Sequence, residues 1–321
     1  TATLRASATA EDDVTFTAVS ASGSTNYAAQ CSVTYRHTRW FSSAWPRRKL
    51  VSIAVGAVSA PLTNYPLLVS LTDTNLPLHA ATNAHDLVFT AADGTTRLDH
   101  EIESYTPADG ALAAWVRLPL LSSTTNTTLF LYYGNTNAAD QQAAAAVWDA
   151  GHAGVWHLRE DPALVAPQVR DSTTNGNHAS ASGSMPSSAL AGAAVNGGLR
   201  FDGTNDRLIA GTSASLGLTN TGTLEAWFKL SGLGSWRCLV AKGDGAGYES
   251  HAYYMDFTPE NYLEYGLGDG TNWQSLTTGF RFTDTNAFHH VLMSWDGAHV
   301  RLYLDGTLRE TRGQQRLPAP N

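Results

Sequence analysis

Carboxylate side chains could do hydrolytic chemistry in this sequence, because a glycosidase needs two carboxyl groups flanking the bond it cleaves, about 5 Å apart in retaining enzymes. Glu101 and Glu103 are spaced to share one side of a strand, but no third carboxylate accompanies them, and we expect a solvated strand face. Four further acidic residues could pair only through the fold: Glu225, Glu249, Asp256 and Glu264. The sequence contains neither Gly-x-Ser-x-Gly nor His-Glu-x-x-His, so we expect a protein that is not an enzyme, with glycoside hydrolysis as an alternative.

Aromatic residues in glycine-rich segments could bind sugars, because a pyranose needs an aromatic plane for its apolar face and polar groups for its hydroxyls. The segments "GLGSWRC", "GDGAGYESHAYY" and "GDGTNWQS" supply such sets. The candidate ligand-binding residues are Trp236, Arg237, Tyr248, Asn272, Trp273 and Gln274. The alternative is that the loops cover their own tryptophans. Trp227 and Trp295 lie within apolar strand-like runs, where burial is expected.

Two loops are rich in oxygen ligands of the kind that Ca²⁺ prefers, namely carboxylates, Asn side chains and backbone carbonyls. They are "DSTTNGNHA" at residues 171–179 and "FDGTND" at residues 201–206. The alternative is that the Asp and Asn side chains bond their own backbone and form turns. For residues 201–206 a turn is the main expectation, to which Asp206 could add a metal ligand.

The composition favours an exported β-protein that is secreted, periplasmic or on the cell surface. The 321 residues are 43% hydrophobic, which suffices for a core in each of two domains, and only 15% are charged. The net charge of −8, with one short basic run at residues 47–49, excludes nucleic acid and anionic membranes as expected partners. No apolar run reaches about 18 residues, so no segment is expected to span a membrane.

The two cysteines, Cys31 and Cys238, are too far apart in sequence for a zinc knuckle or a redox motif. They form either one long-range disulfide, which export permits, or two small buried residues. The chain begins within a strand-like pattern, as expected of a mature product or of a piece of a longer protein.

Short alternating runs predict strands along most of the chain. Residues 1–44 hold a few strands without a core of their own, and residues 45–136 hold denser ones that predict an antiparallel sandwich. An alanine-rich, helix-like segment within residues 137–154 is interpreted as a connector. Strands resume over residues 155–321, with hairpin turns predicted at three Asp-Gly pairs. Those pairs begin at Asp269, Asp296 and Asp305.

The C-terminal motifs "LRFDGTNDRLIAG", "GTLEAWFKL" and "FHHVLMSWDGAHVRLYLDGTLRE" resemble the laminin-G-like, concanavalin A-type lectin/glucanase family. The resemblance implies a jelly roll and structural roles for His289 and His290. It also implies a structural calcium site. The candidate calcium ligands are Asp171, Asn175, Asn177 and Asp206. Family members usually continue through further strands. We therefore expect either that the sequence is an incomplete fragment or that the open sheet edge is covered by residues 1–44 or by strand exchange with another chain.

The earlier motifs "YPLLVSLTDTN", "DLVFTAADGTTRLDHEIESY" and "LFLYYGN" resemble a bacterial domain family of unknown function that often precedes laminin-G-like modules in surface proteins. Together the two resemblances imply an all-β chain of two antiparallel sandwiches. We expect a non-catalytic surface protein that binds glycan or mediates adhesion. The alternative is a structural module of a cell-envelope assembly, which contacts only protein.

Overall fold

The computed structural model describes residues 14–19, 30–35, 39–243 and 251–319. Its backbone divides into two compact units, Thr1–Val147 and Trp148–Asn321, and the division falls inside the predicted connector. The described part of the chain is almost entirely strands and loops, so the all-β prediction is confirmed. No helix in this part is long and apolar enough to cross a bilayer.

The first unit is a sandwich of two antiparallel sheets. Its strands are β1 (Val14–Val19), β2 (Gln30–Tyr35), β3 (Arg47–Ile53), β4 (Leu62–Thr72), β5 (Val88–Ala91), β6 (Arg97–Leu98), β7 (His100–Thr106), β8 (Ala111–Leu121) and β9 (Thr127–Tyr133). The sheets have the orders β3-β9-β5-β6 and β4-β8-β7, while β1 and β2 form a separate hairpin. Alternate apolar residues of both sheets meet in one core, among them Phe89, Ile102, Val116 and Leu131.

The predicted helical connector is mostly not a helix. Besides α1 (Leu76–His79), the described part of this unit contains only the short helix α2 (Ala144–Val147). The residues before α2 are instead bound to the first sandwich. The amide N–H groups of Gln141 and Ala143 donate to the carbonyls of His85 and His100, at 3.2 and 2.9 Å. These tertiary bonds replace the intrahelical bonds that the alanine-rich sequence favours.

Glu101 and Glu103 are buried, so the prediction of a solvated strand face is wrong. Only 6% and 2% of these residues are exposed. The reason is that α2 packs on β7 and β8. A β-bulge between Ile102 and Ser104 accommodates Glu103, whose Oε2 accepts a bond from the Trp115 indole at 2.5 Å.

Replacement of the connector side chain that bonds this bulge should destabilise the first unit. The Oε1 atom of Gln142 accepts the Ile102 N–H at 2.6 Å. Gln142→Ala removes this bond, and we expect a loss of about 1–2 kcal/mol in the free energy of unfolding by urea. Gln141→Ala is the matched control, because the side-chain amide of Gln141 donates to the carbonyl of Ala139, two residues away, and its backbone bonds are kept in the variant. Equal effects of the two substitutions would contradict this role of the connector.

The second unit is also a sandwich, preceded by short hairpins. Its strands are β10 (Ser180–Ser182), β11 (Leu190–Gly192), β12 (Gly197–Leu199), β13 (Arg207–Ile209), β14 (Gly222–Phe228), β15 (Arg237–Lys242), β16 (Tyr253–Phe257), β17 (Tyr262–Gly268), β18 (Trp273–Arg281), β19 (His289–Trp295), β20 (His299–Leu304) and β21 (Thr307–Gly313). We call β15-β16-β17-β18 the front sheet and β14-β19-β20-β21 the back sheet. One core joins them, with Met255, Tyr265, Phe228 and Met293 among its members.

The three predicted Asp-Gly turns are confirmed as the connections β17–β18, β19–β20 and β20–β21. In the last of them Asp305 and Gly306 both have positive φ, 52° and 73°. Positive φ at both central residues is the geometry that Asp-Gly favours in a two-residue hairpin loop. These turns fix the register of the sheets, and therefore decide which side chains leave the core.

Candidate functional site

The outer surface of the front sheet collects polar and aromatic side chains. Met255, Phe257, Leu263 and Tyr265 point into the core, so the residues between them point outward. We call this surface the front face. Its members are Tyr254, Asp256, Glu264, Trp273, Ser275 and Thr277.

Two carboxyl groups lie side by side on the front face. Asp256 of β16 and Glu264 of β17 are direct cross-strand partners, which places their Cβ atoms about 5 Å apart. The Oδ1 atom of Asp256 is buried, and no described residue makes a hydrogen bond to it. Burial, together with the negative charge of Glu264, raises the pKa of Asp256 to about 7. This pair therefore holds a carboxyl group that is partly protonated near neutral pH.

Glu264 is held in place by its neighbours on the same face. Its Oε1 atom accepts bonds from the Ser275 hydroxyl and, at 3.4 Å, from the Tyr254 hydroxyl. The Tyr254 ring lies over Gly266, where an added Cβ would come within 2.8 Å of the ring. Glycine at position 266 thus makes room for the aromatic ring that supports Glu264.

The sequence did not single out this pair as a site, although both residues were among the acidic candidates for hydrolysis. Of the other two, Glu225 lies on the back sheet, and Glu249 lies outside the described residues. The available signal was alternation: each acid stands between two apolar residues, in "MDF" and "LEY". Recognising their contact also required the β16–β17 register.

The predicted ligand-binding residues do not form one cluster. Trp236 and Arg237 lie at the start of β15, beside the end of β16, whereas Asn272 and Trp273 lie at the other end of the front sheet. Trp236 and Trp273 are both exposed, by 50% and 37%. Tyr248 lies outside the described residues. A single site that combines both tryptophans is therefore not formed by this arrangement.

Gln274 has a structural role that the sequence reasoning missed. It is buried, and its Nε2 donates to the Gly313 carbonyl at 2.7 Å. Its Oε1 accepts the Gln315 N–H at 2.8 Å. Both ends of the amide are thus used to tie β18 to the end of β21 and the segment that follows it, which leaves this side chain unsuited to contact a sugar.

Trp227 is exposed by 55%, so the expectation of burial is wrong for this residue, whereas Trp295 is buried as expected. The apolar neighbours of Trp227 point into the core, and alternation turns its indole outward. It lies beside His290 with ring centroids 5.2 Å apart. This exposed indole is the aromatic plane that sequence reasoning overlooked.

The side chain of His289 links two turns of the second unit. Its Nδ1 lies 2.8 Å from Asp305 Oδ2, its Nε2 lies 3.3 Å from Asp284 Oδ2, and its ring packs edge-on against Phe282. Burial alone would lower the pKa of His289, but the two carboxylates outweigh it and raise the pKa. These contacts fit the structural role implied for this histidine.

The 171–179 loop is bonded as a turn. Asp171 Oδ1 accepts the N–H groups of Val155 and Thr173, and Oδ2 accepts the Thr173 hydroxyl and the Asn177 N–H. The side-chain amide nitrogens of Asn175 and Asn177 donate to the Ala153 carbonyl. Because the carboxylate oxygens are already occupied, this arrangement does not fit a calcium site, and calcium binding stays a prediction.

The 201–206 stretch is likewise a turn. Asp202 Oδ1 accepts three backbone N–H groups, and Asp206 Oδ2 accepts the Asp202 N–H at 3.0 Å. Gly203 supplies the positive φ, 76°, that the turn needs. Across the described ranges, no group of three or more His, Cys, Asp or Glu residues is placed to hold a metal ion.

Cys238 is a free cysteine and is exposed, so in this structure it is neither paired nor buried. Cys238 lies at the edge of the front face, and its backbone partner on β16 is Asp256. Cys31 lies in β2, and its side chain is outside the described part of the chain.

Removal of the Asp171 charge should destabilise the second unit without involving calcium. Asp171→Asn weakens four hydrogen bonds to a buried carboxylate, and we expect a loss of about 2 kcal/mol in the free energy of unfolding by urea. Asp202→Asn, in an exposed turn, is the matched control and should cost less. A calcium-dependent rise in the thermal midpoint that Asp171→Asn abolishes would instead establish the loop as a cation site.

The stability of the second unit should fall as the pH rises from about 4 to about 7. Folding raises the pKa of Asp256 from 3.8 to about 7, so in this window the unfolded chain releases the proton first, and ionisation favours unfolding. Asp256→Asn should remove this slope and stabilise the unit at about pH 8 by on the order of 2 kcal/mol. Urea unfolding at several pH values measures the stability. Asp202→Asn is the control and should keep the slope of the wild type. A slope that is unchanged in Asp256→Asn, or that Asp202→Asn removes equally, would refute the raised pKa of Asp256.

Comparison with known proteins gives two family matches. Residues 202–321 match the family model of the concanavalin A-like lectin/glucanases superfamily. Residues 83–152 match the family model of a domain of unknown function, DUF2341. No curated protein matches the chain in sequence.

Two solved structures resemble parts of the chain. One is domain 4 of AbnA, an extracellular GH43 arabinanase from Geobacillus stearothermophilus, in complex with arabinotriose. Its sequence identity to this chain is 16%, the match covers 47% of this chain and 73% of that one, and the TM-score is 0.37. The other is a candidate carbohydrate-binding protein from Bacteroides ovatus, with 11% identity, coverage of 84% and 65%, and a TM-score of 0.26. At these TM-scores neither likeness carries an argument about function.

The order of the two family matches along the chain agrees with the two resemblances seen in the sequence. The C-terminal part of the chain is a concanavalin A-like domain of the lectin/glucanase superfamily, and it is preceded by a region of the DUF2341 family.

Proposed function

We propose that the concanavalin A-like domain binds carbohydrate on its front face. The superfamily assignment supports a sugar ligand, since it unites lectins and glucanases. The observation that carries the proposal is the chemistry of the front face, where a buried, unsatisfied acceptor lies beside a second carboxylate.

Asp256 and Glu264 offer acceptors of the kind that sugar hydroxyls bond. A buried acceptor without a donor costs free energy, about 1–3 kcal/mol, which a ligand hydroxyl would recover. Asp256 Oδ1 is in this position. The exposed side chains of Ser275 and Thr277 add hydroxyl groups on the neighbouring strand.

Trp273 supplies the aromatic plane for this ligand. It is partly exposed at the start of β18 and pairs across the sheet with Gly268, which has no side chain to cover it. Trp273 lies on the same face as Ser275 and Thr277, four residues along β18 from the cross-strand partner of Glu264. An indole on one face with hydroxyls and carboxylates matches an oligosaccharide, whose rings have an apolar side and polar hydroxyl groups.

Binding without hydrolysis is the function we propose. The paired carboxyl groups and the raised pKa of Asp256 favour glycoside hydrolysis as the second candidate, because such enzymes use an acid and a base of this type. Two facts support binding instead: Asp256 is only 6% exposed, and Glu264 is engaged by Ser275 and Tyr254. Hydrolysis requires the scissile bond to lie between both carboxyl groups, whereas binding requires only that one ligand hydroxyl reach Asp256 Oδ1.

We further propose that the protein is exported and acts at the bacterial cell surface, in adhesion. The low charged content and the lectin-like domain support this setting. The alternative partner is a surface protein, within an envelope assembly that uses the sandwiches only for protein contacts.

Substitution of Trp273 should weaken sugar binding. We expect Trp273→Ala to reduce affinity at the front face by about tenfold or more, since stacking on an aromatic ring contributes on the order of 1 kcal/mol beyond its buried area. Affinity electrophoresis of the full chain in gels containing arabinan, xylan, galactomannan or mixed-linkage β-glucan measures the change. Trp236→Ala is the matched control, because Trp236 is similarly exposed at the opposite end of the sheet.

Retardation by no polysaccharide, or equal losses in the two variants, would refute the front face as the site. The same polysaccharides incubated with the protein should release no reducing ends. Release that disappears in Asp256→Asn and in Glu264→Gln would establish hydrolysis in place of binding.

A further inference from the structure

The back sheet exposes an aromatic ring of its own. Along β14 the exposed residues Thr223, Glu225 and Trp227 alternate with the core-facing residues Leu224 and Phe228. The 55% exposure of Trp227 exceeds that of Trp236 and of Trp273. A large exposed indole near the end of a strand has no packing role of its own in the core.

Hydrogen-bonding groups lie next to this indole. His290 of β19 is the direct cross-strand partner of Trp227, with ring centroids 5.2 Å apart and planes inclined by 43°. Its Nε2 lies 3.5 Å from Glu225 Oε2. An aromatic plane, a carboxylate acceptor and an imidazole that can donate or accept therefore lie together.

The carboxylate beside the indole is ionised. The hydrogen bond from His290 is the largest cause of a lowered pKa of Glu225. A carboxylate next to the aromatic plane repels an anionic ligand and accepts hydrogen bonds from hydroxyl groups. A neutral sugar ring is therefore the ligand that we expect here.

The surface beside Glu225 is partly apolar. A row of residues that pair in register on neighbouring strands runs from Glu225 through Leu292, Tyr303 and Leu308. Leu308 is 48% exposed, and Leu292 and Tyr303 are half-buried. This row offers further contact area, over four strands, to a chain-like ligand.

We propose that Trp227, Glu225 and His290 form a second carbohydrate platform, on the back sheet, which takes a neutral sugar ring stacked on the indole. The proposal rests on the proposed function and extends it: the domain holds sugars on two opposite faces. Two such sites would bind two chains, or two segments of one chain, and raise the apparent affinity for a polymer.

The test counts sites on the full chain. We titrate a hexasaccharide into the wild type and four variants by calorimetry. The hexasaccharide is taken from whichever of the four polysaccharides retards the protein in the gels. We expect two sites in the wild type, one in Trp227→Ala, one in Trp273→Ala and none in the double variant. Thr223→Ala, on the same strand and face, is the matched control and should keep both sites.

Glu225→Gln keeps the fold and the indole, and should weaken the back-sheet site by about threefold to tenfold, as loss of one hydrogen bond to a charged group predicts. Two sites retained in Trp227→Ala, with one lost in Trp273→Ala, would overturn the platform and leave the proposed function standing. One site lost only in Trp227→Ala supports the platform and overturns the front face. A wild type that binds none of the polysaccharides overturns both.

Discussion

The structure of the second unit depends on the burial of alternate side chains between two sheets. Once Leu224, Phe228, Met255 and Phe257 fill the shared core, the geometry of a strand turns the residues next to them outward. The domain therefore has two outer faces whose chemistry is decided by the residues between the core positions. Asp256, Glu264 and Trp227 are outward for this reason, and the binding proposals follow from it.

The two faces treat their carboxyl groups in opposite ways. Asp256 is buried beside a second carboxylate, which raises its pKa, whereas Glu225 lies near imidazoles on a more open surface, which lowers its pKa. The front face thus holds a carboxyl group that can donate or accept near neutral pH. The back sheet holds an ionised carboxylate bonded to an imidazole. Both faces therefore offer carboxyl oxygens that sugar hydroxyls can bond.

The sequence predicted the fold well because its signals are local. The three Asp-Gly turns and the motifs of the C-terminal half indicated the sandwich, and the family match agrees with them. The site was predicted less well because its contacts are not local. Asp256 and Glu264 are eight residues apart and meet only through the hairpin register, and Trp227 looked buried because its neighbours are apolar. Glu101 and Glu103 looked solvated until α2 was seen to pack over their strand.

The most direct test of the central claim is to follow the tryptophan indole N–H signals by NMR while an oligosaccharide is added. The oligosaccharide is taken from a polysaccharide that retards the protein in affinity electrophoresis. If sugars bind the two outer faces, the signals of Trp227 and Trp273 should shift. The signal of Trp295, whose indole donates to the Thr219 carbonyl below the core, should stay in place. A shift confined to Trp236, or no shift at either outer-face tryptophan while binding occurs, would contradict the account.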